Sequence, residues 1–152
     1  MTSTAAYLIQ TQGEERDAVD WVPEFSRRAR GVPVYATLRA LGRDGIEDLV
    51  ARGCARARQM AELLSRADGV QVLNEVVLNQ VLVRFGDDET TRNVITGVQQ
   101  DGTCWLSGTT WHDLAAMRIS VSNWATTQAD VAASAAAILR VFRKLRGDAQ
   151  AT

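Results

Sequence analysis

The run DLAAMRISVSNWATT, residues 113 to 127, constrains the fold more than any other stretch because its period changes near the middle. Up to Ser122 it alternates. Successive side chains of a strand point to opposite faces, so Ala115, Met117, Ile119 and Val121 make one apolar face. The other face carries Leu114, Ala116, Arg118, Ser120 and Ser122. A strand with one dry face and one polar face belongs to a sheet covered on a single side, the habit of antiparallel sheets. Beyond Asn123 the pattern turns helical. Arg118 stays charged at any ordinary pH, and spacing leaves two readings open for it: a solvated sheet face, or a face that receives an anion.

Other segments supply helices to cover such a sheet. After an extended arm through about residue 25, Pro33 opens a helix with Val34, Leu38 and Leu41 on one face, stopped at Gly42. Asp44 and Glu47 have capping-box spacing, and Ile46, Leu49, Val50, Ala57, Ala61 and Leu64 recur at helical intervals until Gly69. Arg52, Arg56, Arg58 and Glu62 read as the solvated face of that helix. VQVL at 70–73 and QVLVRF at 80–85 read as an antiparallel pair of strands. Asp88 caps a helix through Val94, Ile95 and Val98 that ends at Gly102.

TCWLSGT, residues 103–109, and the opening segment are expected to add strands. Thr127 and Asp130 then cap a last helix bearing Val131, Ile138, Leu139, Phe142 and Leu145. Arg140, Arg143, Lys144 and Arg146 crowd its final turns, as the helix dipole favours. The expectation is an α+β fold in which helices pack on a mostly antiparallel sheet.

Several function classes fall away. At 152 residues and 46% hydrophobic content the chain can bury one core. No run is long and apolar enough to cross a bilayer, and MTSTAAYLIQ has neither the basic leader nor the apolar stretch of a secretory signal, so a cytoplasmic protein is expected. A net charge of −1 gives no field to gather nucleic acid or an anionic membrane. Cys54 and Cys104 form no CxxC pair, which predicts two reduced, buried thiols and no metal site. No GxGxxG or Walker sequence supports a nucleotide loop.

His112, the sole histidine, reads as a turn or surface residue between strands. Trp105, Trp111 and Trp124 fall close together and are expected to pack in a core or subunit interface, an aromatic wall over a ligand being the alternative. Lys144 is the only lysine among 17 basic side chains, and arginine cannot form a Schiff base.

A longer stretch carries a resemblance. DWVPEFSRRARGVPVYATLRALGRDGIEDLV, residues 20–50, closely resembles the segment after the active-site lysine in pyridoxal-phosphate-dependent amino-acid decarboxylases of the group II family, which include aromatic-amino-acid, glutamate and diaminobutyrate decarboxylases. Pro23, the triplet Ser26, Arg27 and Arg28, an aromatic at Tyr35 where the family usually has tryptophan, and LRALGRDG from Leu38 carry the match. MRISVSNWATTQADV resembles the family's last strand and helix, with Arg118, Asn123, Thr126 and Thr127 in register.

The resemblance covers nearly the whole chain and implies a dimeric fold type I architecture. Residues 1–43 would correspond to an arm and helix ending the large domain, and 44–152 to the C-terminal small domain. It implies pyridoxal 5'-phosphate as the family cofactor, an amino-acid substrate whose carboxylate Arg118 would hold, and interface or structural roles for Arg27, Arg28, Tyr35 and Trp111. In the family a lysine following a histidine binds the cofactor aldehyde, an aspartate pairs with the pyridine nitrogen and a second histidine stacks on the ring. The resemblance places all of these upstream of this sequence, and Lys144 does not match the lysine. The expectation is therefore a C-terminal fragment or subunit of a decarboxylase, inactive and without bound cofactor on its own, partnered by a missing cofactor-binding large domain or subunit and forming a homo-oligomer. A non-catalytic α+β module that dimerises or binds a small carboxylate is the alternative.

Overall fold

The computed structural model describes residues 28–150, with side chains through 147. Arg27, the arm before it and the strand expected in the opening segment lie outside the described residues. The chain divides into two compact units, residues 1–40 and 41–152. In the first, residues 31–40 begin helix α1 (Gly31–Ser65), and the Thr37 hydroxyl donates to the Pro33 carbonyl at 2.8 Å. Val32, Val34, Tyr35 and Leu38 are all exposed. Gly42 leaves the helical backbone at φ 62° and ψ −170°, a left-handed φ that a side chain would disfavour. The expected stop is thus a break inside α1.

The second unit continues α1 and adds β1 (Val70–Val72), β2 (Gln80–Phe85), α2 (Asp88–Asp101), β3 (Ser107–Trp111), β4 (Leu114–Ser120) and α3 (Gln128–Gln150). The strands form one antiparallel sheet in the order β1-β2-β4-β3. Helix α2 carries the chain from β2 to the far edge, and β4 returns between them through a two-residue hairpin. His112 at φ 46° and Asp113 at φ 64° form that turn, the pair of left-handed residues that matches strand twist.

One face of the sheet is covered by helices. Leu64 of α1, Val94 and Val98 of α2 and Ile138 of α3 meet Val83 and Met117 in the core. Each such side chain, fully buried, contributes about 1.5–3 kcal/mol. Phe85 and Phe142 tilt against each other with ring centres 5.2 Å apart. Gly108, paired with Met117, faces α2, where a Cβ would stand at ordinary contact distance, 3.4 Å, from Ile95. Thr91, the buried polar side chain of α2, accepts from the Phe85 N–H at 3.0 Å and donates to the Asp87 carbonyl at 2.8 Å, so its burial is compensated. The α+β expectation is met.

Details differ from the sequence reading for local reasons. Asp87, not Asp88, caps α2, accepting from the Thr90 N–H at 2.8 Å, while Asp88 turns to Arg84 and to the Ala115 N–H. Gly102 ends α2 in left-handed backbone, as expected. TCWLSGT becomes strand only from Ser107, because pairing with β4 runs from Ser107 to Trp111, and the Leu106 carbonyl accepts from Gln99 instead. Burial on α1 falls on Cys54, Ala57, Met60 and Leu64; Val50, expected in the stripe, is exposed, and Arg56 is half-buried.

Thr127 and Asp130 exchange bonds at the start of α3 as expected, each backbone N–H donating to the other side chain. The last turn of α3 holds no basic residue, because the helix runs on past Arg146 to Gln150. Arg140 instead reaches Asp101 at 2.7 Å, and Arg146 donates to the Asp68 carbonyl at 3.0 Å while lying over the Phe142 ring.

Candidate functional site

The face of the sheet opposite the helices holds the candidate site. Alternation along β4 puts Leu114, Ala116, Arg118 and Ser120 there, and the register sets Arg118 between Leu82 of β2 and Ser107 of β3. Arg118 is exposed, and its Nη2 reaches the Ser107 hydroxyl only at 3.4 Å. Among the described residues no carboxylate lies within ion-pair distance of it. Arg84, on the same face, differs in this respect: its guanidinium is neutralised by Asp88. The Arg84 hydrogen bond first, and the Ala115 N–H second, hold the Asp88 carboxyl below the usual carboxylate range.

Leu82 and Ala116 beside Arg118 are buried, so the guanidinium rises from an apolar floor. That setting strengthens its attraction for an anion relative to open water. Trp111 pairs with Leu114 at the hairpin end of this face, its ring edge-on to His112 at 4.8 Å between centres. The three tryptophans do not pack in the core: Trp105 is 79%, Trp111 41% and Trp124 74% exposed. Trp105 precedes β3 and Trp124 follows β4, outside the hydrogen-bonded strands that would have drawn them inward.

The remaining candidates are dispersed. Arg28 and Tyr35 are exposed in the first unit. Of the two thiols, Cys54 is buried and Cys104 only partly so. Burial pushes the Cys104 thiol up, which weakens it as a nucleophile. No group of three metal-ligating side chains occurs among the described residues. The signal that sequence reasoning could not use was pairing: only the register shows Leu82 and Ser107 as the neighbours of Arg118.

No family model matches the sequence. Solved structures do. Oryza sativa TDC with PLP and tryptamine superposes with a TM-score of 0.73 at 17% identity, over 85% of this chain and 30% of that one. Catharanthus roseus tryptophan decarboxylase in complex with L-tryptophan gives 0.67 at 16% identity, over 85% and 28%. The glutamate decarboxylase domain of a Vibrio parahaemolyticus diaminobutyrate-pyruvate transaminase and L-2,4-diaminobutyrate decarboxylase gives 0.63 at 20% identity, over 73% and 25%. The chain has the fold of group II PLP-dependent decarboxylases. It spans less than a third of each of those chains.

The group II fold raises the question of PLP, and the described residues do not fit it. A Schiff base needs a primary amine, and the only lysine, Lys144, is exposed on α3 and lines neither of the two large clefts. What the site can do by itself is hold an anion: a guanidinium fork suits a carboxylate in two-point contact.

Proposed function

We propose that this chain is the C-terminal part of a PLP-dependent amino-acid decarboxylase, a fragment or subunit that is inactive alone and works against a cofactor-binding large domain or subunit. On this reading residues 1–43 continue the large domain and 44–152 form the small one. The observation that carries it is the sheet face away from the helices: in a fold shared with these decarboxylases it presents Arg118, with no carboxylate partner among the described residues, above Leu82 and Ala116. Arg118 then holds the carboxylate of an amino-acid substrate or product. PLP and the lysine that carries it come from the partner, in a cytoplasmic homo-oligomeric assembly. Adding a PLP-binding large-domain partner in trans is expected to give a complex with carboxy-lyase activity. Absence of both the complex and the activity would contradict the proposal.

A second reading is favoured by the first unit, where Val32, Val34, Tyr35 and Leu38 leave an apolar helix face open. The chain on its own would then be a non-catalytic module that self-associates through that face. Light scattering discriminates, since a strict monomer at all concentrations contradicts it.

A further inference from the structure

The second unit holds a cleft that the Arg118 face does not explain. It has a volume of about 440 Å³ and lies between α1 and the segments that precede β2 and follow β4. Leu49, Val50, Leu78 and Trp124 give it apolar walls, and two arginines of α1, Arg52 and Arg56, stand one helical turn apart along it. Arg118 is not among its lining residues.

The two arginines are differently engaged. Arg52 is committed, its Nε 2.8 Å from the Asp48 carboxylate and its Nη1 3.4 Å from the Trp124 carbonyl. Arg56 is not. Its Nε is closed off from water and has no hydrogen-bond partner, and among the described residues no carboxylate lies within ion-pair distance of it. A guanidinium cannot escape this by losing a proton. The side chain as a whole is half-buried and lines the cleft, so an acceptor entering there could engage a guanidinium whose enclosed Nε has no partner.

We infer that this cleft is a ligand site for a monocarboxylate with an apolar body, its carboxylate on Arg56 and its body between Leu49, Leu78 and Trp124. The charge count sets the first half of that description: Asp48 cancels Arg52, so one positive charge remains to be matched. The walls set the second half, since a small hydrated anion would leave them wet. The site follows from α1 and the cleft alone and does not depend on the decarboxylase reading.

Calorimetric titration of the full chain with 4-phenylbutanoate tests it, with 4-phenylbutanamide and acetate as comparison ligands. Saturable one-site binding is expected, weaker by about tenfold or more for either comparison ligand and for Arg56→Met, which keeps a long apolar stem. The amide comparison is made on the unaltered chain, so it stands even if the variant folds poorly. No saturation up to about 10 mM overturns the inference, as does equal affinity for the amide or for acetate. Arg143→Met, at an exposed arginine of α3 that does not line the cleft, is expected to leave the binding unchanged; an equal loss there would mean that the anion is held by general surface charge and would overturn the inference.

Discussion

The two faces of β4 differ in what they are built for. Met117 and Ile119 point into a mostly apolar core closed by three helices. Arg118 and Ser120, one residue away in each case, point to a face that no element of the described chain covers. Most of the large apolar side chains are buried on the helix side of the sheet, and the other side carries the charge of Arg118 beside buried Leu82 and Ala116. A strand with this division can present a functional arginine at fixed height, because its backbone is held by β2 and β3 on both flanks.

The largest effect should come from opening the covered side. Phe85 is fully buried and packs on Phe142, so Phe85→Ala is expected to lower stability by about 3–5 kcal/mol through lost burial and a cavity. Urea unfolding followed by circular dichroism measures it. A loss under about 1 kcal/mol would mean that the core is loosely packed and that the two faces differ little.

Helix packing on that side gives a subtler test. Gly97 lies inside α2, where alanine would ordinarily gain about 1 kcal/mol of helix propensity. A Cβ at this position would stand 2.7 Å from Val141 Cγ1 of α3, too close for any real contact. Gly97→Ala should therefore destabilise, by about 1–2 kcal/mol net, as overpacking outweighs propensity. A rise in melting temperature would show that α3 can yield.

Acid should distinguish the faces as well. Asp87, Asp88, Asp101 and Asp130 are all held below the usual carboxylate range, chiefly by the Thr90 N–H, the Arg84 guanidinium, the Thr103 hydroxyl and the Thr127 N–H respectively. A depressed folded-state value means the unfolded chain binds protons first as pH falls. The stability they contribute is present above about pH 4 and is lost as pH drops through their lowered values. Melting temperatures measured from pH 7 downward should hold steady and then fall below about pH 4; a flat profile to pH 2 would remove these helix-end carboxylates from the account.

Much of this was legible before any coordinates. The alternation at 114–121 defined both faces of β4, and Gly42, Gly102 and the Thr127–Asp130 pair marked helix ends, because these signals are local and each residue type acts through its own backbone. The failures share a cause. The choice of Asp87 over Asp88 depends on Arg84 and the Ala115 N–H, the latter 27 residues away, and the exposure of Trp105 depends on where pairing with β4 stops. Arg56 read as solvated because its helix face was known but not what lay beside it. Such facts belong to tertiary neighbours, which no spacing rule contains.

Arg118 itself offers the smallest expected effect on the fold and the sharpest test of the comparison. Its only side-chain hydrogen bond among the described residues is the long one to Ser107. Arg118→Met should therefore change stability by no more than about 0.5 kcal/mol in either direction. In a complex reconstituted with a large-domain partner the same change should reduce carboxy-lyase activity by about tenfold to a hundredfold, the worth of charged hydrogen bonds to a carboxylate. Arg118→Lys should recover only part of it, since an ammonium keeps the charge but not the two-point fork. Stability lost with activity intact would make Arg118 a structural residue of the sheet, and neither altered would leave it a solvated side chain. Only loss of activity on an unshaken fold fits a face kept open for binding.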